Sequence, residues 1–415
     1  MYPCAGENAK GPTPVTIICA DFAILPVSQR TSAPKSKGFI MKVLAVYSAE
    51  EILGGGEVSF TLSLELVSKS GWDVLAALPG TGHLSGYLQE RGIPSVNLPQ
   101  PSLRGNLNAR YLFFPQPDWL QLCRDFRPDL IHCNAVRPAL YAQAISRTLR
   151  IPTILHARKS ERLRWIDPFL VMRLAAIICT SNVVRRRFPL YLGRNKLKVL
   201  YNPVDLAQFE TPTPQSGELR EKWLEGRFGK LVGVIGRLSP VKGQHWIVEA
   251  APEILRSVPG TRFVLVGSED PSFPGHEQKL HNDIRERGLR DHFVFAGFQT
   301  DMASIYHALD LVAFPTSSEG FGRVAIEAGA ARRALVTSDI EVLREVISGE
   351  LEDLTVPLGC VSLLAKRIIL LLQDEALRAE VGERLCHHVR SHFGLETHRN
   401  ELLSVYRELV SPSTG

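Results

Sequence analysis

The chain has no apolar run long enough to cross a membrane. Its longest runs, residues 174–179 and 368–372, fall far short of the ~20 apolar residues that a transmembrane helix needs. It also lacks the low hydrophobicity of a disordered protein, since 45% of its 415 residues are hydrophobic and 22% are charged. These values predict a globular protein of two or three domains.

Cysteine patterns that build disulfide frameworks or zinc sites are also missing. The seven cysteines are odd in number and form no Cys-x-x-Cys pair, which favours a reduced, cytoplasmic protein. Cys133 and Cys179 lie in strand-like apolar runs, where a thiol acts as a small hydrophobic group. His388 and His392 have helical spacing but no third ligand nearby, so we predict a solvated helix face and no metal site.

A strong excess of one charge is absent as well. The chain has 48 Lys and Arg against 43 Asp and Glu, a net charge of +5. This modest excess indicates an anionic partner without identifying it. Because aromatic residues make up 8% of the chain and no recognition motif occurs, we expect no nucleic-acid partner.

The first forty residues differ in composition from the rest. They contain five prolines and scattered small polar residues. The apolar stretch 15–27 is interrupted by Asp21, which argues against a signal peptide. We therefore expect a loosely ordered extension over 1–40, or a start codon placed too early, with the first strand beginning near Met41.

From residue 41 onward, short runs rich in Val, Ile and Leu alternate with segments of helical period, in two series. Strands buried on both faces imply parallel sheets covered by helices, hence an α/β fold with two Rossmann-like domains. The polar, turn-rich segment 210–217 is predicted to be the linker. The predicted strands are 42–47, 74–78, 95–98, 130–132, 153–156, 176–179 and 198–200, then 231–235, 262–266, 293–295, 311–314 and 334–337.

The pattern also predicts where the domains divide and where a ligand binds. We expect an N-terminal domain over 41–210, a C-terminal domain over 211–395, and a last helix in 396–415 that crosses back to the N-terminal domain. In such sheets, ligands bind outside the carboxyl ends of the strands. The cleft between the two domains is therefore the predicted site.

Three loops in this arrangement have residues suited to a phosphorylated ligand. The first is Gly54-Gly55-Gly56, between the first strand and the first helix. Glycines allow a close backbone approach, and a helix N-terminus favours an anion. A plain tight turn explains the same residues equally well.

The second loop follows the first strand of the C-terminal domain and contains Gly236, Arg237 and Lys242. Two cations beside the start of a helix suit a diphosphate. Two solvated loop cations are the alternative interpretation.

The third loop, from Glu319 to Glu327, is the most specific of the three. Seven residues separate the two carboxylates, and Gly320 and Gly322 flank the predicted start of a helix. Backbone amides there can bind phosphate oxygens, and carboxylates accept hydrogen bonds from sugar or ribose hydroxyls. Glu319 falls in the loop and Glu327 about one turn inside the helix, so both can approach one ligand.

Together these motifs resemble the retaining GT-B glycosyltransferases of family 4, also called glycosyl transferases group 1. The resemblance runs from about residue 41 to 409 and includes the segments 202–205 and 265–267. It implies two Rossmann-like domains that face each other across a cleft. It also implies an enzyme that moves a sugar from a nucleotide-diphosphate sugar to a hydroxyl acceptor, glycan or lipid-linked, as in cell-envelope polysaccharide synthesis.

The resemblance further implies roles for individual residues. Arg237 and Lys242 would hold the donor diphosphate. Because these two cations take the place of a metal ion, neither a metal nor a cofactor is expected. Glu327 would bind the ribose, and Glu319 the hydroxyls of the transferred sugar. The implied donor-binding set is Gly55, Gly56, Arg237, Lys242, Glu319, Gly320, Phe321, Gly322 and Glu327.

The implied catalytic set is Glu319, Arg237, Lys242 and His132. His132 stands where the family often has a histidine near the reacting sugar. Asn134 and His156 are alternatives for that position.

Two segments depart from the family pattern. Arg332, Arg333 and Ala334 stand where a Gly-x-Pro turn is usual, and Ile340 and Glu341 replace a Gly-Gly loop before Glu345. Both segments lie on the donor side, so the identity of the sugar stays open. A sugar-nucleotide epimerase of the same fold and a non-catalytic nucleotide-sugar-binding relative are the alternative functions.

Basic and aromatic residues are mixed in one stretch of the N-terminal domain, around 156–187, where a helix is predicted over 160–174. Such a stretch suits an anionic membrane surface near a lipid-linked acceptor, hence a peripheral contact with the cytoplasmic face of the inner membrane. A solvated helix face with a buried apolar side is the alternative, and the sequence favours it slightly.

Overall fold

The computed structural model describes residues 40–52, 54–101, 110–227, 229–347 and 354–410. The predicted N-terminal extension therefore lies outside the described residues, except for Ile40. No helix in the described part of the chain combines the length and apolar character required to span a bilayer.

The first half of the chain forms a parallel sheet of seven strands in the order β3-β2-β1-β4-β5-β6-β7. Leu44 and Val46 of β1 pack into one apolar cluster, and Val43 and Ala45 pack into another. Both faces of the sheet are therefore buried, as the uninterrupted apolar strands predict. The strands are β1 Lys42–Val46, β2 Asp73–Leu78, β3 Ser95–Asn97, β4 Leu130–Cys133, β5 Thr153–Ala157, β6 Ala176–Cys179 and β7 Leu197–Val199.

Helices connect these strands and cover the sheet. Cys133 and Cys179 are buried at the ends of β4 and β6, and burial raises the pKa of the Cys179 thiol to about 12. Both thiols are thus neutral core groups, as predicted. The helices are α1 Gly55–Lys69, α2 His83–Gln89, α3 Pro117–Phe126, α4 Val136–Leu149, α5 Ile166–Arg173 and α6 Asn182–Arg185.

The second half repeats this architecture with a parallel sheet in the order β10-β9-β8-β11-β12-β13. The strands are β8 Lys230–Ile235, β9 Thr261–Val266, β10 Phe293–Gly297, β11 Leu311–Phe314, β12 Ala334–Ser338 and β13 Thr355–Val356. The helices are α7 Pro214–Leu224, α8 Gln244–Ser257, α9 His276–Glu286, α10 Met302–Ala308, α11 Arg323–Ala330, α12 Glu341–Ile347, α13 Val361–Gln373 and α14 Glu375–His392. In both sheets the strand order reverses next to the first strand, which opens a crevice at its carboxyl end.

The last helix, α15, spans Leu395–Val410 and packs against the first half of the chain. Leu402, Leu403 and Tyr406 are buried in the same apolar cluster as Phe60 and Leu64 of α1. The apolar stripe of α15 thus completes the core of the N-terminal sheet.

Three local predictions are wrong. The segment 210–217 is not entirely a linker, because α7 begins at Pro214, whose fixed φ suits the first turn of a helix. The helix expected over 160–174 begins only at Ile166. His388 is buried and its Nε2 lies 2.8 Å from the backbone carbonyl oxygen of Val346, whereas His392 is exposed as expected.

Candidate active site

The loop between β1 and α1 brings the start of a helix to the cleft. A Cβ added to Gly55 would lie 2.8 Å from Cδ of Arg323, which belongs to the second half of the chain. A Cβ added to Gly56 would lie 3.4 Å from Cδ of Arg158, which follows β5. Glycine at these positions therefore lets arginines from both domains approach the N-terminus of α1.

The loop after β8 carries Arg237 and Lys242, as predicted from the sequence. Arg237 Nη1 lies 3.2 Å from Oδ2 of Asp270, a residue that follows β9. Burial raises the pKa of Asp270, but the backbone N–H of Ser272 and the Arg237 guanidinium outweigh it and lower the pKa overall. Arg237 thus has a charged carboxylate partner but keeps about 44% of its side chain exposed.

Lys242 and Glu319 form an ion pair although 77 positions separate them in sequence. Only 20% of the Lys242 side chain and 12% of the Glu319 side chain are exposed. Gly243, with φ 72°, makes this possible, because a Cβ there would overlap the carbonyl oxygen of Pro315 at the end of β11. The two loops therefore contact each other directly and present a cation and a carboxylate side by side.

Glu327 lies inside α11, which starts after Gly322 at φ 93°. Its carboxylate accepts a hydrogen bond from Tyr306 Oη at 3.0 Å and pairs with Arg323 Nε. Arg323 also donates to Ser59 Oγ of α1 at 2.8 Å, which links this carboxylate to the N-terminal domain. Glu327 is 6% exposed, so few of its hydrogen-bonding positions face solvent.

Gly320 and Phe321 contact the N-terminal domain in different ways. The Gly320 carbonyl accepts hydrogen bonds from Thr180 Oγ1 at 3.1 Å and Ser181 Oγ at 2.9 Å. The Phe321 ring packs 6.0 Å from the ring of Tyr201 and is buried. The Phe321 side chain is therefore part of the core and is not available to a ligand.

Comparison with known proteins identifies the family of this chain. Residues 53–208 match the profile of Glycosyltransferase Family 4, and residues 215–385 match that of Glycosyl transferases group 1. The lipopolysaccharide core biosynthesis mannosyltransferase LpcC of Rhizobium leguminosarum bv. viciae is 31% identical over 243 residues, which are 58% of this chain and 67% of that protein. The chain belongs to glycosyltransferase family 4, the glycosyl transferases group 1.

Two further comparisons extend over more of the chain. The UDP-Gal:alpha-D-GlcNAc-diphosphoundecaprenol alpha-1,3-galactosyltransferase of Escherichia coli is 23% identical over 279 residues, 62% of this glycosyltransferase and 70% of the relative. The crystal structure of Anabaena Alr3699/HepE in complex with UDP-glucose covers 89% of this chain and 100% of its own, with a TM-score of 0.77 and 23% identity. This likeness confirms the GT-B fold, in which two Rossmann-like domains face each other across a cleft.

His132 of this glycosyltransferase lies beneath the cleft rather than among its charged groups. Its Nδ1 is hydrogen-bonded to Tyr406 Oη of α15, and its ring is fully buried. Burial, with smaller contributions from Arg158 and His398, lowers the pKa of His132 to about 3. His132 is therefore a neutral group at pH 7 that contacts the C-terminal helix.

The two alternatives to His132 lie in different surroundings. Asn134 Oδ1 accepts a hydrogen bond from the backbone N–H of Ser48 at 2.9 Å and so holds the loop after β1. His156 is also fully buried and stacks on His132 with 5.4 Å between ring centroids, but its Nδ1 lies 3.3 Å from Arg158 Nη2. Of the three candidates, His156 is thus the one that contacts a cleft arginine.

Three residues of the cleft were not assigned a role from the sequence. Arg158 directly follows β5, a position typical of ligand-binding residues, but the surrounding basic stretch obscured it. Arg323 bridges Glu327 and α1, and the sequence carries no signal for this contact. Glu345 Oε1 accepts hydrogen bonds from the backbone N–H of Asn182 at 2.7 Å and from Tyr201 Oη at 2.9 Å, which joins the two domains.

Proposed function

We propose that this glycosyltransferase moves a sugar from a nucleotide-diphosphate sugar to a hydroxyl acceptor with retention of configuration. The observation that carries the proposal is the Lys242–Glu319 pair in the cleft, next to Arg237. A bound donor would replace this ion pair. Its phosphate would pair with Lys242, and the hydroxyls of its sugar would donate hydrogen bonds to Glu319. The Gly55 and Gly56 amides would approach the diphosphate from the N-terminal domain.

The charges of these residues suit the proposed reaction. Breaking the bond between sugar and diphosphate leaves negative charge on the leaving group, and Arg237 and Lys242 are fixed cations that would stabilise it. For the same reason we propose that the enzyme needs no metal ion or other cofactor. In a front-face reaction, a leaving phosphate oxygen would accept the acceptor's proton. Glu327 would bind the ribose.

The histidine at the reacting sugar is proposed from the cleft geometry. His156 contacts Arg158, whereas His132 contacts Tyr406 on the far side of the stacked pair. Because its ring is fully buried, we propose His156 as the histidine nearest the reacting sugar rather than as a direct ligand, with His132 in a supporting position behind it.

The relatives support the choice of substrates. The names of two of them include a UDP-sugar, and one of these names gives an acceptor linked to diphosphoundecaprenol. A nucleotide sugar as donor and a glycan or lipid-linked hydroxyl acceptor of the cell envelope fit these names. The departures at Arg332, Ala334 and Ile340 leave the sugar itself open.

A panel of nucleotide sugars tests the donor proposal. We expect one uridine, guanosine or adenosine diphosphate sugar to raise the melting temperature, because ligand at ~100 times its Kd stabilises by about 2.7 kcal/mol. That donor should then release nucleotide when an acceptor is added, with the anomeric configuration of the product read by NMR. No response to any member of the panel, or release with inversion, would contradict the proposal.

We also propose a peripheral contact with the cytoplasmic face of the inner membrane. Residues 158–196 contain ten Lys and Arg against two acidic residues. Leu170 and Val171 are buried, as the alternative expects, but Trp165 is 83% exposed and Tyr191 is 86% exposed. We define the basic–aromatic surface as Arg162, Arg164, Trp165, Met172, Arg173, Tyr191 and Arg194, all of them exposed.

Two hydrogen bonds join the chain segments that carry the basic–aromatic surface. Arg162 Nε donates to the carbonyl of Arg187 at 3.2 Å, and Lys196 Nζ donates to the carbonyl of Val171 at 3.1 Å. Exposed aromatic groups among cations suit the interface of an anionic bilayer.

Vesicle co-sedimentation tests the membrane contact. Wild type should bind phosphatidylglycerol-containing vesicles at low salt, bind phosphatidylcholine vesicles weakly, and dissociate at high salt. The double variant Trp165→Ser, Tyr191→Ser should lose binding, whereas Phe298→Ser, an exposed aromatic of the other domain, should keep it. Equal binding by both variants, or a preference for duplex DNA over vesicles, would contradict the proposal.

A further inference from the structure

Arg158 is a cation at the cleft that is held by neutral groups. Its Nη1 donates to Asn202 Oδ1 at 2.9 Å, and its Nη2 lies 3.3 Å from His156 Nδ1. Its Nε is buried without a hydrogen-bond partner. Among the described residues, no carboxylate oxygen lies within 4.0 Å of its guanidinium nitrogens.

The other cleft cations differ from Arg158 in this respect. Arg237 pairs with Asp270, Lys242 with Glu319, and Arg323 with Glu327. Burial lowers the pKa of Arg158 to about 10, even though the Glu57 carboxyl partly opposes this effect. A partly buried cation without a paired anion is costly, and such groups are more typical of binding sites than of structural networks.

The position of Arg158 places it between the two domains. Its side chain runs beside Gly56 at the start of α1, and its carbonyl oxygen packs against Gly320 of the C-terminal domain. Burial raises the pKa of the Glu57 carboxyl, and the charges of Arg158 and Arg237, one from each domain, partly oppose this rise. Arg158 therefore faces the same part of the cleft as the loop that carries Arg237.

We propose that Arg158 binds a phosphate group of the substrate and is the cation that the N-terminal domain contributes to the site. This inference rests on the proposed nucleotide-sugar transfer. The phosphate belongs either to the donor diphosphate or to a phosphate-linked acceptor, since both would enter the same cleft. In both cases the phosphate supplies a direct anionic partner, which Glu57 does not provide because it acts on Arg158 without forming an ion pair.

Calorimetric titration with three probes tests this assignment: inorganic pyrophosphate, UDP and uridine. The variants are Arg158→Met, Arg158→Lys and, as a matched control, Arg147→Met at the exposed end of α4. Arg158→Met should weaken pyrophosphate and UDP binding at least tenfold, which is about 1.4 kcal/mol, and leave uridine within twofold. Arg158→Lys should recover part of the loss, and Arg147→Met should match wild type.

Steady-state kinetics distinguish the two sources of phosphate. If the phosphate belongs to the acceptor, UDP affinity is unchanged, but Arg158→Met raises the KM of a diphosphate-linked acceptor at least tenfold relative to an acceptor sugar without phosphate. Either result supports the assignment. Unchanged pyrophosphate and UDP affinity together with an unchanged acceptor KM would overturn it.

A merely structural role gives a different result. In that case Arg158→Met would lower the melting temperature without ligand and weaken uridine and UDP in parallel, which also overturns the assignment. Failure of the proposed function is recognised separately, because wild type would then bind no nucleotide, while the pyrophosphate comparison would still test Arg158.

Discussion

At the residue scale, the cleft contains cations that differ in how their charge is balanced. Lys242 shares its charge with Glu319, whereas Arg158 meets only neutral acceptors. A substrate phosphate would therefore compete with a carboxylate at Lys242 but not at Arg158. In the proposed reaction, phosphate binding at Lys242 would therefore require exchange of an ion pair, whereas phosphate binding at Arg158 would not.

Lys242→Ala tests the exchange at the C-terminal loop. We expect turnover of the donor to fall about 10²–10³-fold, because one preorganised group that stabilises the leaving charge is lost. The melting temperature should change little, since Glu319 can then be solvated by water in the opened space. The control is Lys69→Ala, a lysine with 69% of its side chain exposed on α1. Turnover within threefold of wild type would place diphosphate binding elsewhere.

At the element scale, α15 closes the N-terminal core through a buried histidine. His398 Nε2 lies 2.8 Å from Ser63 Oγ, and Nδ1 lies 2.8 Å from the carbonyl oxygen of Tyr201. Burial lowers the pKa of His398 to about 4, with the Tyr201 contact opposing and Arg158 adding to the shift. The folded state therefore binds this proton more weakly than the unfolded chain, whose histidine pKa is about 6.5.

The sign of the pH dependence follows from these two pKa values. Below about pH 6.5 the unfolded chain binds the extra proton, so stability falls as the pH falls toward 4. At pH 5 the loss from His398 should be about 2 kcal/mol relative to pH 7. Denaturant titrations at pH 5 and pH 7 measure this loss in wild type and in His398→Gln. The free energy of unfolding of the variant should decrease by about 2 kcal/mol less between the two pH values, because His132 and His156 contribute equally in both proteins. An identical decrease would show that His398 titrates normally.

A second element-scale contact joins α12 to the start of α6. Glu345 accepts hydrogen bonds from the backbone and side chain of Asn182 and from Tyr201, whereas Glu341 on the same helix pairs with the exposed Arg186. Hydrogen bonds to a charged group contribute more than an exposed ion pair does. Glu345 should therefore contribute more to stability than Glu341, which serves as a control on the same helix.

We expect Glu345→Ala to lower the free energy of unfolding by about 2 kcal/mol and Glu341→Ala by less than about 0.5 kcal/mol. Urea titration gives both values. A double-mutant cycle with Asn182→Ala measures the coupling directly. Equal effects of the two alanine variants would mean that the Glu345 contacts do not hold the domains together.

At the scale of the whole molecule, the sequence predicted the features that depend on residues close together in the chain. Runs of Val, Ile and Leu predicted β1 through β12 closely, because a buried parallel strand must be apolar along its length. The two-residue β13 was missed, since so short a strand leaves no pattern. Contacts such as Glu345 with Asn182, 163 positions apart, depend on how the domains meet, which no local pattern encodes.

Glycine at position 320 gives the clearest test of how the domains meet. A Cβ there would overlap the carbonyl oxygen of Arg158 in the opposite domain, although Gly320 itself has no left-handed φ that would exclude alanine. Gly320→Ala should therefore leave each domain folded but prevent the arrangement in which Arg323 contacts Gly55 and Ser59 of α1.

We expect Gly320→Ala to lower turnover about tenfold or more and to increase the radius of gyration in small-angle scattering, with the melting temperature within a few degrees of wild type. Gly86→Ala in α2 is the control, because a Cβ there meets no atom within 4 Å. If the scattering curve of Gly320→Ala superimposes on that of wild type, the effect on turnover comes from the loop itself. The domains would then meet at their wild-type separation despite the added methyl group, and the contact of Gly320 with Arg158 would not control how they meet.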